Sequence, residues 1–165
     1  MFKITAGTLE EQGFTIVAKD EARPWGGFFV IDEAQSPLFI ETYFPGLPKE
    51  DFYGIEKLSP KFLMVAPGKR LSWQYHHRRA ELWRLVAGRA GVVKSKTDEE
   101  GEVHELEPGE VVRVEQGERH RLVGLESWGT IAEIWQHTDP LHPSDEDDIV
   151  RVQDDFGRQP SKKNC

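Results

Sequence analysis

Cysteine is nearly absent from this chain of 165 residues: its single copy, Cys165, is the last residue. No internal disulfide can form, so the fold has to rest on buried apolar surface. A domain of this size buries about two-thirds of the surface its unfolded chain exposes, enough for a core of its own. Long apolar runs are missing too. Nothing approaches the roughly 20 residues of a membrane span, and residues 1–7, MFKITAG, lack the apolar stretch of a secretory leader. The expectation is a cytoplasmic protein without a membrane partner. Basic residues are outnumbered, 21 against 29 acidic, for a net charge of -8. A general nucleic-acid binder needs a basic face, so nucleic acid is excluded as a partner. The basic residues gather between positions 61 and 89, whereas acids dominate 97–118 and 139–155. A locally basic cleft in an acidic chain suits a small anionic ligand.

Helical periodicity is scarce. What is present is a series of short apolar segments rich in Val, Ile, Phe and Trp, at 27–31, 38–43, 62–66, 71–76, 81–87, 91–96, 111–114, 119–123 and 130–136. Turn signals separate them, among them Pro67-Gly68, Gly88, Pro108-Gly109, Gln116-Gly117 and Trp128-Gly129. Many short strands at this spacing predict an all-β sandwich or barrel with few short helices.

Chemistry concentrates in 67–88, PGKRLSWQYHHRRAELWRLVAG. In a strand, Gln74 and His76 share one face because side chains alternate. A turn over 77–80 then reverses the chain, and Glu81 opens the next strand on the same face. A second segment, 108–120, reads as strand, turn and strand, with His120 just after the turn. Two imidazoles, a carboxylate and an amide oxygen form a mixed nitrogen and oxygen set. It suits one divalent metal ion among zinc, iron, manganese, cobalt and nickel without selecting one strongly, and zinc is the first expectation. Surface or packing roles for the two histidines are the plain alternative.

The spacing of these residues resembles the two cupin motifs. Gly68, Gln74, His76, Glu81 and Gly88 occupy the places of the first, with Gln for its first His; Gly109, Glu115, Gly117 and His120 occupy the second, with Glu for its Pro. The resemblance implies a cupin double-stranded β-helix, a jelly-roll barrel, with Gln74, His76, Glu81 and His120 as the metal ligands. Within the cupins, LSWQYHHRRAELW, Arg23-Pro24-Trp25-Gly26, Glu146-Asp147-Asp148-Ile149-Val150-Arg151 and Asp154-Asp155-Phe156-Gly157-Arg158 resemble the cupin domain of type II mannose-6-phosphate isomerases. That domain often follows a nucleotidyltransferase, for which this chain has no counterpart. Departures are Leu82 for a His and Gly124 for an Asn. The match divides the chain into an N-terminal extension (1–22), a cupin domain (23–158) and a disordered tail (159–165).

The resemblance implies an enzyme that interconverts aldose and ketose phosphates, a mannose-6-phosphate isomerase or a relative acting on another sugar such as a heptose phosphate. Arg151 would be the cation beside the developing oxyanion, and Arg78, Arg158 and Lys69 would hold the phosphate by charge and fork geometry. The base is left between Lys61 and an acidic residue lining the cavity. A homodimer through exposed sheet edges is the expected assembly. The competing readings are a non-catalytic sugar-binding or sensor cupin, an iron oxygenase and a metal-free epimerase-type cupin.

Overall fold

The computed structural model describes residues 1–48 and 57–158; the expected tail at 159–165 lies outside them. The β-branched and aromatic segments take extended structure: β1 (Ile16–Arg23), β2 (Gly26–Ile31), β3 (Lys61–Val65), β4 (Trp73–Tyr75), β5 (Arg79–Ser95), β6 (His104–Glu105), β7 (Val111–Val114), β8 (Arg119–His137) and β9 (Val150–Gln153). They join in the order β1-β2-β3-β8-β4-β9, with β5 also bonded to β6, β7 and β8. The expected all-β architecture is what the structure shows.

Two long strands organise it. β5 and β8 pair antiparallel from Arg79↔His137 to Ser95↔Arg119, with irregularities between Leu85 and Ala87 and between Gly88 and Ala90. Such bulges bend a ladder. One half of β8 thereby meets β3, with Glu133 opposite Lys61, and the other half meets β4, with His120 opposite Gln74. Gly88 sits at the bend with φ +70°, and a Cβ there would lie 1.9 Å from the carbonyl oxygen of Trp128. Gly88→Ala is expected to cost more than about 1 kcal/mol, read as a lowered melting temperature, because neither the backbone nor the space accepts a side chain.

All five residues of β3 are buried, because both faces of this part of the sheet are covered. One set of alternating side chains, Leu63, Val65, Trp83, Leu85, Leu122 and Ile131, fills the barrel with Trp25, Val92 and Val112. The opposite set, Phe62, Met64, Leu82, Ala132 and Ile134, packs outward against Leu9, Phe29, Phe39 and Tyr43. Two helices, α1 (Phe2–Glu11) and α2 (Ser36–Tyr43), supply that outer layer. Leu9 of α1 is fully buried, and Phe2 meets Phe29 and Trp128 edge-on at 6.2 and 5.4 Å.

One expectation changes here. Residues 38–43, expected as a strand, form most of α2. Pro37 sits in its first turn, and Phe39 and Tyr43, four residues apart, bury side by side. A short aromatic run reads equally as strand or buried helix, and the neighbouring sheet face decides it. Residues 1–22 supply α1 and most of β1. β1 pairs with β2 from Ile16↔Ile31 to Arg23↔Gly26, so no structural break falls at residue 23.

Candidate metal centre

The inward side chains change character along the barrel. Leu63, Val65, Leu85 and Ile131 make one end apolar, whereas Lys61, Glu81 and Glu133 follow them on the same faces toward the other. A cavity opens there, lined among others by Gln74, Arg79, Glu81, Trp83, Trp135 and Arg151.

His76, Glu81 and His120 converge beneath it, all buried. Both imidazoles are oriented by main-chain carbonyls: His76 Nδ1 lies 2.7 Å from the Asp148 oxygen, and His120 Nδ1 lies 2.9 Å from the Glu118 oxygen. A carbonyl only accepts, so each Nδ1 carries the hydrogen and each Nε2 presents a lone pair. Those two Nε2 atoms are 3.2 Å apart. Glu81 Oε1 is 3.1 Å from the first, and Oε2 is 3.5 Å from the second. Oε2 is buried without a hydrogen-bond partner.

Three electron-pair donors therefore face one another with no proton between the imidazoles. Burial pushes the His76 imidazole below its ordinary pKa, with Glu81 opposing and Arg79 assisting, which disfavours an imidazolium. Burial also works against the charge on Glu81, but His76, Arg79 and His120 outweigh it and hold its carboxyl well below the usual range. A cation among the donors would resolve the arrangement. Donors bound at roughly 2.0–2.2 Å with bond angles between right and tetrahedral lie about 2.8–3.6 Å apart, and the observed separations fall in that interval. The residues fit a divalent ion. Gln74 stands opposite His120 across β4 and β8, with its amide oxygen 2.6 Å from the Ser72 hydroxyl that donates to it. Its second lone pair is the candidate fourth ligand.

Support for this group comes from residues that pattern reading passed over. Asp148 takes the backbone N–H groups of His77 and Arg78 at 2.9 and 3.0 Å and the Ser144 hydroxyl at 2.6 Å, while its own carbonyl orients His76. Those hydrogen bonds overcome burial and hold its carboxyl below the ordinary value. Arg79, expected as part of a turn, is buried; it donates to Glu81 at 2.9 Å and to Ser144 at 2.8 Å and lies 3.6 Å from the Trp135 ring centre. Glu133 is buried beside them. An acid inside the apolar run Ile131-Ala132-Glu133-Ile134-Trp135 was the available signal, since a buried strand carries charge only at a cost.

Of the expected substrate residues, the structure brings Lys61, Arg151 and Arg158 to the cavity, together with Arg23. Lys61 pairs with Glu146 and lies 4.3 Å from the Trp135 ring centre. Arg158 is clamped by Asp154 at 2.7 and 3.0 Å. Burial lowers the Arg151 guanidinium, as does the like charge of Arg158 and, more weakly, Arg23, against the pull of Asp154. The other two do not arrive. Lys69 is exposed on the turn after β3, and Arg78 reaches outward to Asp145 at 3.4 Å. Sequence spacing places both near the motif, but strand parity and the turn direct them away from the cavity. Leu82 also lies outside the centre: one residue beyond Glu81, it faces the opposite side, among Phe39, Phe62 and Ile134.

A family described as mannose-6-phosphate isomerase C-terminal matches residues 46–154, which include all three converging side chains. The chain belongs to that family. Among relatives, a mannose-1-phosphate guanylyltransferase of Salmonella montevideo is 34% identical over 151 residues, 91% of this chain and 26% of that protein. The xanthan biosynthesis protein XanB of Xanthomonas campestris (strain ATCC 33913) is 30% identical over 136 residues, 82% of this chain and 23% of its own length. The chain thus spans about a quarter of these relatives. Among solved structures, the capsular polysaccharide assembling protein CapF of Staphylococcus aureus aligns over 85% of this chain and 32% of its own (TM-score 0.53, 16% identity). An oxalate oxidase in complex with glycolate aligns over 82% and 59% (TM-score 0.53, 17% identity). This chain has a cupin barrel, the fold it shares with these solved structures. Among the described residues, no helix is long and apolar enough to cross a membrane.

Proposed function

We propose that this cupin is a metal-dependent aldose–ketose isomerase of a sugar phosphate, with mannose 6-phosphate the first substrate to test and a heptose phosphate the next. The observation that carries the reading is that Glu81 of a three-donor cation site and a wall of guanidinium groups line one cavity, with His76 and His120 buried behind Glu81. A sugar phosphate offers the matching halves, vicinal oxygens for the ion and a dianion for the arginines. The names of the relatives and of the family supply the sugar, mannose phosphate.

In this reading Gln74, His76, Glu81 and His120 hold the ion, zinc in the first place. The bound ion would supply Lewis-acid stabilisation of negative charge on the sugar oxygens at C1 and C2. Arg158, aligned by Asp154, and Arg23 take the phosphate, for which guanidinium forks are well shaped. Like-charged neighbours around Arg151 repel one another until an anion enters, so phosphate binding relieves a cost present in the free protein. Arg151, beside Gln74 on β9, stands on the side where oxyanion charge develops. Lys61 adds a second cation on the opposite wall. Trp83 and Trp135 exclude water from between these groups. A homodimer through the outer edge of β1 belongs to the same proposal and is tested by light scattering.

A coupled assay of metal-analysed protein on mannose 6-phosphate and a panel of aldose phosphates tests the isomerase. Turnover that chelation abolishes and divalent metal restores is the expected result. One bound ion per chain with no turnover on the whole panel would overturn it in favour of a binding cupin.

A further inference from the structure

Glu133 is a buried carboxyl that neither the metal centre nor the phosphate wall uses. It projects from β8 into the cavity, 5% exposed, with Lys61 opposite on β3 and Trp83 opposite on β5. The Trp83 indole N–H donates to Oε2 at 2.8 Å, and the Trp135 indole N–H donates to Oε1 at 2.9 Å. Among the described residues no cation lies within ion-pair distance of it: Lys61 is engaged with Glu146, and Arg79 with Glu81. A packing role does not account for such a group, because an apolar residue would fill the space without the cost of burying a carboxyl.

The two indoles fix the carboxyl plane from both sides and occupy one lone pair on each oxygen. A second lone pair on each oxygen remains for a ligand in the cavity. Of the acids that line the cavity, Glu81 is a candidate metal ligand and Glu146 is bound to Lys61. Lys61, with its ammonium in an ion pair and against the Trp135 and Phe28 rings, has the contacts of a cation that positions charge. Glu133 alone combines burial, fixed orientation and spare acceptor capacity.

We propose that Glu133 is the catalytic base of the isomerase, carrying the substrate proton between C2 and C1; this rests on the isomerase reading above. The Glu133 carboxylate takes the C2 proton. The C2–H electron pair becomes the C1=C2 bond, and the C1=O pair moves onto O1. The O2 hydroxyl proton passes to the adjacent O1, the O2 electron pair forms C2=O, and the C1=C2 pair takes the proton back from Glu133 at C1. The aldose has become the ketose, nothing is oxidised or reduced overall, and Glu133 is a carboxylate again. In the metal-free protein burial, reinforced by the charge of Glu81 and countered by Lys61 and Arg79, pushes the Glu133 carboxyl up to about 8. That is the range in which a base both accepts and returns a proton near neutral pH.

The test uses metal-loaded wild type, Glu133→Gln and Glu133→Ala on the substrate that the wild type turns over. The expected result is a kcat about 10³-fold lower for Glu133→Gln, with one metal per chain retained. Activity of Glu133→Ala should return on addition of formate, a bare carboxylate small enough for the vacated space. Glu133→Gln retaining kcat within about tenfold of wild type, or Glu133→Ala that formate does not restore, would overturn the assignment while leaving the isomerase standing. A wild type inert on every sugar phosphate would overturn both.

Discussion

Protein with His120 replaced by alanine is expected to emerge from purification without stoichiometric divalent metal, whereas the wild type carries one ion per chain. His120 is fully buried, its ring is fixed by the Glu118 carbonyl, and its Nε2 faces both His76 and Glu81. Loss of a residue that merely supports a metal ligand lowers affinity roughly 10–100-fold. Removing a ligand itself should cost more than 100-fold, on the order of 10³. Competition with a chromophoric chelator measures this directly. Retention of metal at wild-type affinity would mean that the ion binds elsewhere. The pH dependence has a definite sign. Ligands must be deprotonated to bind, and burial holds His76 below the ordinary imidazole pKa while Glu81 is held well below the ordinary carboxyl value. Metal uptake should therefore persist as pH falls past about 6.5, where free imidazole protonates, and fail only in more acidic solution. In His120→Ala no such uptake should appear at any pH.

Arg79→Leu is expected to produce the largest loss of stability, about 3 kcal/mol in metal-free protein. The guanidinium is 6% exposed and joins Glu81, the Ser144 hydroxyl and the Asp145 carbonyl, with the Trp135 ring against it. Leucine fills much of the volume but leaves the Glu81 charge without its cation, and breaking one side of a buried pair is costly. For a domain of this size the loss corresponds to a melting temperature lower by about 6–12 °C. Added divalent metal should recover part of it, because the ion replaces Arg79 as the countercharge of Glu81. The neighbouring Arg78→Leu is the control. Its ion pair with Asp145 is long and partly exposed, so a change within about 0.5 kcal/mol is expected. Equal losses at 78 and 79, or no metal rescue at 79, would argue against a charge-balanced centre.

The arginine pair also shows how far pattern reading reaches. Arg78 and Arg79 are adjacent, alike and both in a predicted turn, yet one faces solvent and the other the buried centre. Parity within β5, which begins at Arg79, separates them, and no local feature of the sequence marks where that strand starts. Residues 38–43 show the same limit from another side. Their aromatic content was readable, but their helical form depends on the outward face of β2, β3 and β8, which they cover.

Much of the centre was legible because a β-hairpin converts spacing into geometry. Gln74, His76 and Glu81 lie within eight positions, and alternation with one turn brings them to a common face. His120 was legible through a second motif, although its meeting with Gln74 comes from a pairing across 46 positions of chain (120 − 74). The turn glycines and the short β-branched runs likewise determined an all-β chain by themselves, because backbone freedom and strand preference act over a few residues. What only the tertiary structure decided were the long-range partners: Asp148 behind His76, Arg79 against Glu81, and Glu133 between two indoles, with no cation at ion-pair distance among the described residues. The physical reason is that the electrostatics of a buried group depend on everything packed around it. Its neighbours come from β3, β5, β8 and the 144–148 segment, and they meet only when the sheet bends at Gly88 and closes.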